Sequence, residues 1–347
     1  MITEKKIKVL IVDDAAFMRK AILNMLEDDA QIEVVGTACN GQEGLEKIEE
    51  LHPDVVTLDI DMPVMDGITS IRHIMIKSPV PVVVLSSLFS DGAITFDALR
   101  LGVVDFIPKP SGAVSTDIDR SRQHLIDRIK LASEVNLANI RRVRLPQWER
   151  DKDLDRYGYQ PLDYLLALGT TLSGPNPVIR LLANLPPTLP AAVVVVVEMS
   201  PKILSAFVKR FDMLVPWEIC EARDGMQLKQ GVCYISSCQK SVRVQTLANG
   251  TICLNETENK DEPLNQLFAS AADVFQQNTV GILLTGIGTD GADGFAHIQK
   301  FSGVTMAQDT QTCVYPNLTD NAIKQGTVNK VLDESKLPQA IISIMTE

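Results

Sequence analysis

Three things that this sequence lacks already narrow its function. No apolar run among its 347 residues is long enough to cross a membrane, so we expect no direct membrane insertion. The chain also has fewer basic than acidic residues, and its formal net charge of −11 and pI near 5.0 argue against a nucleic-acid-binding protein. The six cysteines include no Cys-X-X-Cys pair and no histidine–cysteine ligand spacing. We therefore expect reduced cysteines in a cytoplasmic protein, and no metal site built from them.

Histidine, the usual general base at neutral pH, is rare as well. The chain has four, His52, His73, His124 and His297, and the first three lie in its N-terminal part. His297 falls about one turn into a predicted helix, a place that favours packing over catalysis. Acid–base chemistry in the C-terminal half therefore has a single imidazole to draw on.

The length predicts two domains joined by a linker, and 45% apolar residues suffice for two cores. In residues 1–124, β-type apolar runs alternate five times with helix-period segments, which predicts a doubly wound, five-stranded parallel sheet. The charged start, up to Val9, is typical of a lead into a strand and not of a signal peptide. The predicted strands are Ile7–Val12, Ile32–Thr37, Val55–Leu58, Val80–Leu85 and Asp105–Ile107.

Polar and charged residues gather where these predicted strands end. Asp13 and Asp14 follow the first strand, and Asp59 follows the third. Ser86 ends the fourth strand, and Lys109 follows the fifth. Because the carboxyl ends of parallel strands lie together, three carboxylates should converge, and Mg²⁺ suits such a site. The alternative, that the first two aspartates only cap the following helix, does not explain the other residues.

The segment Asp59-Ile60-Asp61-Met62-Pro63-Val64-Met65-Asp66-Gly67 is similar to the phosphorylation-site signature of response-regulator receiver domains. The resemblance implies that Asp59 accepts the phosphoryl group. It also implies a Mg²⁺ ion held by Asp13, Asp14, Asp59 and the backbone carbonyl of Asp61. Ser86 and Lys109 would then contact the phosphoryl oxygens, and Phe106 would be the switch aromatic.

After a helical and charged linker at 125–159, a second α/β domain is expected over 160–347, with an antiparallel hairpin marked by Asn249-Gly250. Two of its loops carry residues suited to catalysis. Leu166–Pro175 runs from an apolar strand through a Gly- and hydroxyl-rich turn into a helix, which can present a nucleophile or bind an anion. Gly286–Gly294 follows another apolar strand, and Asp290 within it is expected to face the Thr171 loop. Each loop also has a conformational alternative: an ordinary turn, and a helix N-cap.

Several segments of this second domain match one family in order. They are Leu168-Gly169, Gly174-Pro175, Ala222-Arg223-Asp224-Gly225, Tyr234-Ile235, Leu267-Phe268, Leu284-Thr285-Gly286-Ile287-Gly288-Thr289-Asp290-Gly291-Ala292 and Ala307-Gln308-Asp309. Residues 162–345 thus resemble the catalytic domain of the chemotaxis protein-glutamate methylesterases (CheB). The resemblance implies hydrolysis of γ-glutamyl methyl esters on methyl-accepting chemoreceptors, deamidation of receptor glutamines, and a Ser-His-Asp triad without a cofactor. It also implies a chemotaxis histidine kinase as phosphodonor, and a receiver that covers the active site until it is phosphorylated.

The triad that the resemblance implies is incomplete here. Thr171 stands at the position of the serine and Glu198 at that of the histidine, so only Asp290 is retained. A solvated Glu with a pKa of ~4.3 is a much weaker base than an imidazole. Two neighbouring loops also depart from the family's pattern, at Ser236-Ser237-Cys238-Gln239 and Asn317-Leu318-Thr319.

We therefore expect a phosphorylation-controlled response regulator of the receptor-modification family that is impaired or inactive as an esterase. One alternative is a divergent but active methylesterase and glutamine deamidase that uses Thr171 or Ser173 with Glu198. A receiver with a DNA-binding output is a third hypothesis, which the acidic composition and the α/β pattern of the second domain disfavour.

Overall fold

A computed structural model describes residues 5–86, 92–109, 116–140, 161–171, 175–257, 259 and 261–346. The chain divides into two compact units, residues 1–142 and 143–347. Both units are α/β, as the sequence predicts. Within the described residues, no helix combines the length and the apolar character needed to span a membrane.

The first unit is built on a five-stranded parallel sheet of order β2-β1-β3-β4-β5. Its strands are Ile7–Val12 (β1), Ile32–Ala38 (β2), Val55–Asp59 (β3), Val82–Ser86 (β4) and Asp105–Pro108 (β5). Its helices are Ala16–Leu26 (α1), Gly41–Leu51 (α2), Gly67–Lys77 (α3), Gly92–Leu101 (α4) and Thr116–Ser133 (α5). The predicted doubly wound sheet is confirmed, and each strand lies within about two residues of its predicted limits.

Burial on both faces of this sheet explains its apolar strands. Every residue of β3 and β4 is buried, so these strands have no solvent-facing side to carry alternating polar residues. The sequence-based boundary at residue 124 falls inside α5. Leu125, Ile126 and Ile129 of this helix are buried, and α5 packs on α1 and on β3 to β5. The helix therefore belongs to the first unit, whose limit is near residue 142.

The second unit contains a seven-stranded parallel sheet of order β14-β13-β12-β6-β7-β9-β8 and a separate antiparallel hairpin, β10-β11. Its strands are Tyr164–Thr170 (β6), Ala191–Val197 (β7), Glu218–Glu221 (β8), Val232–Ser237 (β9), Ser241–Thr246 (β10), Ile252–Thr257 (β11), Thr279–Leu283 (β12), Val304–Gln308 (β13) and Lys330–Leu332 (β14). Its helices are Pro175–Ala183 (α6), Pro201–Asp212 (α7), Pro263–Phe275 (α8), Ala292–Lys300 (α9), Asn317–Lys324 (α10) and Leu337–Thr346 (α11).

The hairpin turns at the predicted place, where Gly250 has a φ of +81° that favours glycine. The central strand β6 pairs with β7 on one side and with β12 on the other, so the chain reverses its direction across the sheet there. Loops that leave the carboxyl ends of such strands border a crevice, which is where open α/β sheets bind ligands. Thr171 and the start of the glycine-rich loop, which follow β6 and β12, lie at this edge.

Candidate functional site

In the first unit, the predicted acidic cluster forms at the carboxyl edge of the sheet. Asp13, Asp14 and Asp59 each place a carboxylate oxygen within 4.8 Å of the others. Lys109 bridges two of them: its Nζ lies 2.7 Å from Asp13 Oδ2 and 2.8 Å from Asp59 Oδ2. The structure thus brings together the four charged residues that strand-end positions predicted.

The electrostatics of this cluster follow from burial and from the shared ammonium. Burial raises the pKa of Asp59, and the hydrogen bond and charge of Lys109 oppose that shift without cancelling it. Burial alone would lower the pKa of Lys109, but its hydrogen bonds to Asp13 and Asp59 outweigh this and raise it. Lys109 is therefore firmly charged, and it can neutralise only one of the three carboxylates.

The donor set of the cluster fits a hard divalent cation. Asp13 and Asp59 are anchored by backbone groups, since Ala15 N donates to Asp13 Oδ1 at 2.9 Å and Ile60 N to Asp59 Oδ1 at 2.8 Å. Mg²⁺ prefers a few carboxylate oxygens together with water and phosphate oxygens. Asp61 has an exposed side chain and is not part of the carboxylate cluster. Coordination of the cation by its backbone carbonyl stays a prediction.

The remaining predicted residues of this site lie on the same edge. Ser86 is buried at the end of β4, and its carbonyl accepts a hydrogen bond from Lys109 N at 3.0 Å. Phe106 is half-buried against the apolar core. Gly67 must be glycine, because a Cβ there would meet the carbonyl oxygen of Asp59 at 2.4 Å. The contacts of Ser86 and Lys109 with a phosphoryl group remain predictions.

In the second unit, strand register places residues 171 and 198, two of the three triad positions that the resemblance implies, next to each other. Thr170 pairs with Val197 in the β6-β7 ladder, and Val197 pairs with Ser237 in the β7-β9 ladder. Thr171 and Glu198, each one residue further on, therefore leave neighbouring strands at the same edge. The alignment of residues 171 and 198 with a nucleophile and a base position is compatible with this geometry.

The hydroxyl of Thr171 is bound to a neighbouring loop. It donates to Ile287 O at 2.9 Å and accepts from Ile287 N at 2.6 Å, and it lies next to Gly286, where a Cβ would collide with it. A nucleophilic hydroxyl needs a base to receive its proton. Here the proton is directed at a carbonyl oxygen, which is not a base. In this structure the hydroxyl is a brace between two loops, because it joins Thr171 to Ile287.

The glycine-rich loop uses its N–H groups internally. Gly286 N donates to Tyr315 O at 2.9 Å, Gly288 N to Asn317 Oδ1 at 2.7 Å, and Gly291 N to Asn265 Oδ1 at 3.0 Å. With Ile287 N bound to Thr171, four N–H groups of this loop are engaged within the protein. An oxyanion hole needs donors aimed at the reacting oxygen, and in this structure these four donors bind protein atoms.

Asp290, which the resemblance implies as the retained triad residue, caps a helix. Its carboxylate accepts from Leu264 N at 2.7 Å and from Asn265 N at 2.9 Å, in the first turn of α8. The α8 N-cap residue, Glu262, makes no such side-chain bond. Asn265 in turn accepts from Gly291 N and Gly294 N at the start of α9. The two helix starts therefore cap each other. The sequence-based alternative, Asp290 as N-cap of the helix that follows it, is not what the structure shows: Gly291 is the N-cap of α9, and the Asp290 carboxylate binds the first turn of α8.

We expect Asp290→Ala to lower the free energy of unfolding by about 1–2 kcal/mol, because it leaves two N–H groups of α8 unpaired. Asp163→Ala is the matched control, since Asp163 is exposed and its side chain makes no described contact. Denaturant unfolding of the full chain measures both. An Asp290→Ala variant as stable as the control would contradict the capping role.

Burial raises the pKa of Asp290 above its ordinary value of 3.8, although the N–H groups of Leu264 and Asn265 lower it. With the folded-state pKa above the unfolded one, the contribution of Asp290 to stability is full in acid and declines as the pH rises through the folded pKa. We therefore expect the stability advantage of the wild type over Asp290→Asn to shrink as the pH rises from acid toward neutral, and an increase would contradict this sign.

His297, the single histidine of the second unit, is engaged by neighbouring side chains. His297 Nε2 lies 2.8 Å from Asp273 Oδ1, and its ring packs 5.1 Å from that of Phe301, so it joins α9 to α8. Glu198 is half-buried at the end of β7. Ser173, the other hydroxyl of the alternative hypothesis, lies outside the described residues.

The family models fit both units and decide the identification. The response regulator receiver domain matches residues 9–116, and the CheB methylesterase matches residues 166–341. The protein-glutamate methylesterase/protein-glutamine glutaminase of Pyrococcus abyssi is 35% identical over 98% of this chain and 94% of its own length. This chain belongs to the CheB family. A CheB relative of the same name from Symbiobacterium thermophilum is 36% identical, over 99% of this chain and 98% of its own length.

Within this CheB-family chain, sequence reasoning missed three polar residues that build the sites. Asn265 and Asn317 supply the side-chain oxygens that bind the glycine-rich loop. Arg19 donates to the backbone of the acidic β1–α1 loop. The fold brings the glycine-rich loop to Asn265 and Asn317 from 26 and 29 residues away, whereas Arg19 binds carbonyls only five and six residues before it in the chain.

Proposed function

We propose that this chain is a chemotaxis response regulator that takes a phosphoryl group at Asp59 and that is impaired or inactive as a receptor methylesterase. The observation that carries the second half is the double hydrogen bond between the Thr171 hydroxyl and Ile287. The family's reaction needs a free hydroxyl next to a base, and the second unit offers instead a bound hydroxyl and a Glu at the base position.

The proposed phosphorylation of the receiver is supported by the cluster of Asp13, Asp14, Asp59 and Lys109. A carboxylate oxygen of Asp59 would attack the phosphorus of the donor, the donor's P–N bond would break, and an acyl phosphate would form. Lys109 would pair with the phosphoryl oxygens as its ion pair to Asp59 is lost. Bound Mg²⁺, held by Asp13, Asp14, Asp59 and the Asp61 carbonyl, would supply positive charge beside those oxygens.

The partners in this proposal are a chemotaxis histidine kinase as phosphodonor and methyl-accepting chemoreceptors as binding partners, which places the protein in the cytoplasm. The alternative is a divergent methylesterase and glutaminase that uses Thr171 or Ser173 with Glu198. It requires the Thr171 hydroxyl to break its hydrogen bonds with Ile287, or Ser173, two residues further along the chain, to act as the nucleophile.

Thr171 substitutions test whether this hydroxyl is a brace. Thr171→Val keeps the shape of the side chain but leaves the N–H and carbonyl of Ile287 without their partner, so we expect a loss of about 1–3 kcal/mol in the free energy of unfolding. Thr171→Ser is the matched control: it keeps the hydroxyl and should cost less than about 1 kcal/mol. Denaturant unfolding measures both.

The same Thr171→Ser variant also separates the two functions. If the brace is correct, the serine hydroxyl takes the same contacts with Ile287, and methanol release from methylated receptors stays at background. Rapid methanol release by Thr171→Ser, or equal stability of the Val and Ser variants, would contradict the proposal.

A further inference from the structure

The β1–α1 loop presents two of the predicted metal ligands, and their side chains are held very differently. Asp13 is buried, and its carboxylate is fixed by Ala15 N and by Lys109. Asp14 is exposed, and within the described part of the chain its side chain makes no hydrogen bond or ion pair. The direction of the Asp14 carboxylate therefore depends on how its backbone is held.

Arg19 holds that backbone from the first turns of α1. Its Nη1 donates to Asp13 O at 2.7 Å and to Asp14 O at 2.9 Å, so a single nitrogen joins two consecutive carbonyls. These carbonyls belong to the peptide groups on either side of Asp14. Fixing both of them fixes the Cα–Cβ direction of Asp14. At the helix start itself, the N-cap residue of α1, Ala15, makes no side-chain capping bond, and its backbone N–H is bound by Asp13 Oδ1.

We infer that Arg19 is a positioning residue for the metal site: its guanidinium orients the Asp14 carboxylate toward the cation through the backbone of residues 13 and 14. The inference rests on the proposed function, because it assumes that the acidic cluster binds a divalent cation. Arg19 touches neither the cation nor the phosphoryl group in this account. Its effect is exerted through Asp14.

Direct binding of Mn²⁺ to the full-length, unphosphorylated protein tests this role. Mn²⁺ takes the same oxygen ligands as Mg²⁺, and its free fraction can be followed by electron paramagnetic resonance. We expect Arg19→Met to weaken Mn²⁺ binding about tenfold, as the loss of partners that orient metal ligands generally does. Arg19→Lys, which keeps a donor near the carbonyls, should recover part of that loss.

Lys20→Met is the matched control. It removes one positive charge from the neighbouring, exposed position of α1 without touching the carbonyls. Losing a positive charge removes some repulsion of the cation and should tighten Mn²⁺ binding slightly. A tenfold weakening confined to Arg19→Met therefore cannot come from the change in charge. Melting temperatures measured in EDTA show whether each variant is folded without the metal. If Arg19→Met is unfolded, Mn²⁺ binding by Arg19→Lys is compared with that by Lys20→Met instead.

A double-mutant cycle with Asp14→Asn adds a readout that a merely structural role would not move. If Arg19 acts through Asp14, Arg19→Met costs little once the Asp14 carboxylate is gone. Additive losses, or equal effects of Arg19→Met and Lys20→Met, overturn the inference. Failure of the proposed function looks different: the wild-type chain itself would then bind no Mn²⁺ and accept no phosphoryl group.

Discussion

Asp59→Asn is expected to abolish phosphorylation of the full-length protein by acetyl phosphate in the presence of Mg²⁺. The amide is not a nucleophile, and the substitution also removes one of two carboxylates that Lys109 bridges and one of three that would hold the cation. Intact-mass spectrometry should show one added phosphoryl group on the wild type and none on the variant.

Asp28→Asn is the control for that prediction. It makes the same change in the same unit, at an exposed residue that pairs with Arg122. We expect it to be phosphorylated like the wild type. Phosphorylation of Asp59→Asn at the wild-type rate would show that another residue accepts the phosphoryl group, and the site proposed here would be wrong.

Methanol release from methylated chemoreceptors is expected to be at least about 10⁴-fold slower than with a relative that has the complete Ser-His-Asp triad, because the loss of one triad member alone typically costs that much. Two positions differ here, Thr171 and Glu198. Four N–H groups of the glycine-rich loop are also engaged within the protein. Phosphorylation at Asp59 should not restore the reaction, since these contacts lie within the second unit.

Residual activity would have a recognisable origin. Turnover near that of an intact relative, abolished by Thr171→Ala or by Glu198→Ala, would support the divergent esterase and refute the loss of function. Activity that survives both substitutions would point to a contaminating esterase or to Ser173, and Ser173→Ala separates these two sources.

The first unit was predictable because its chemistry follows from strand ends. Asp13 follows β1, Asp59 ends β3 and Lys109 follows β5, and parallel strands bring their carboxyl ends together whatever the details of packing. The sequence therefore predicted both the sheet and the cluster. The end of this unit was less predictable, since α5 continues the helical pattern through the expected boundary at residue 124 without any local signal.

The second unit was predictable in its strands but not in the role of its polar residues. The position of Asp290 after a buried strand was correctly predicted, but its partners, Leu264 and Asn265, precede it by about 25 residues. The partner of Thr171 is 116 residues away. Hydrogen bonds over such separations depend on how loops meet in the folded chain, so a hydroxyl or carboxylate suited to catalysis cannot be told from a brace or a cap by its neighbours in sequence.

One experiment tests the central claim that receiver chemistry is kept while esterase chemistry is lost. The full-length protein is incubated with acetyl phosphate, Mg²⁺ and methylated receptors, and the phosphoryl occupancy of Asp59 and the released methanol are measured in the same sample. We predict high occupancy with methanol at background, beside a complete-triad relative that releases methanol readily. Methanol release that rises with the occupancy of Asp59 and approaches that of the relative would contradict the account.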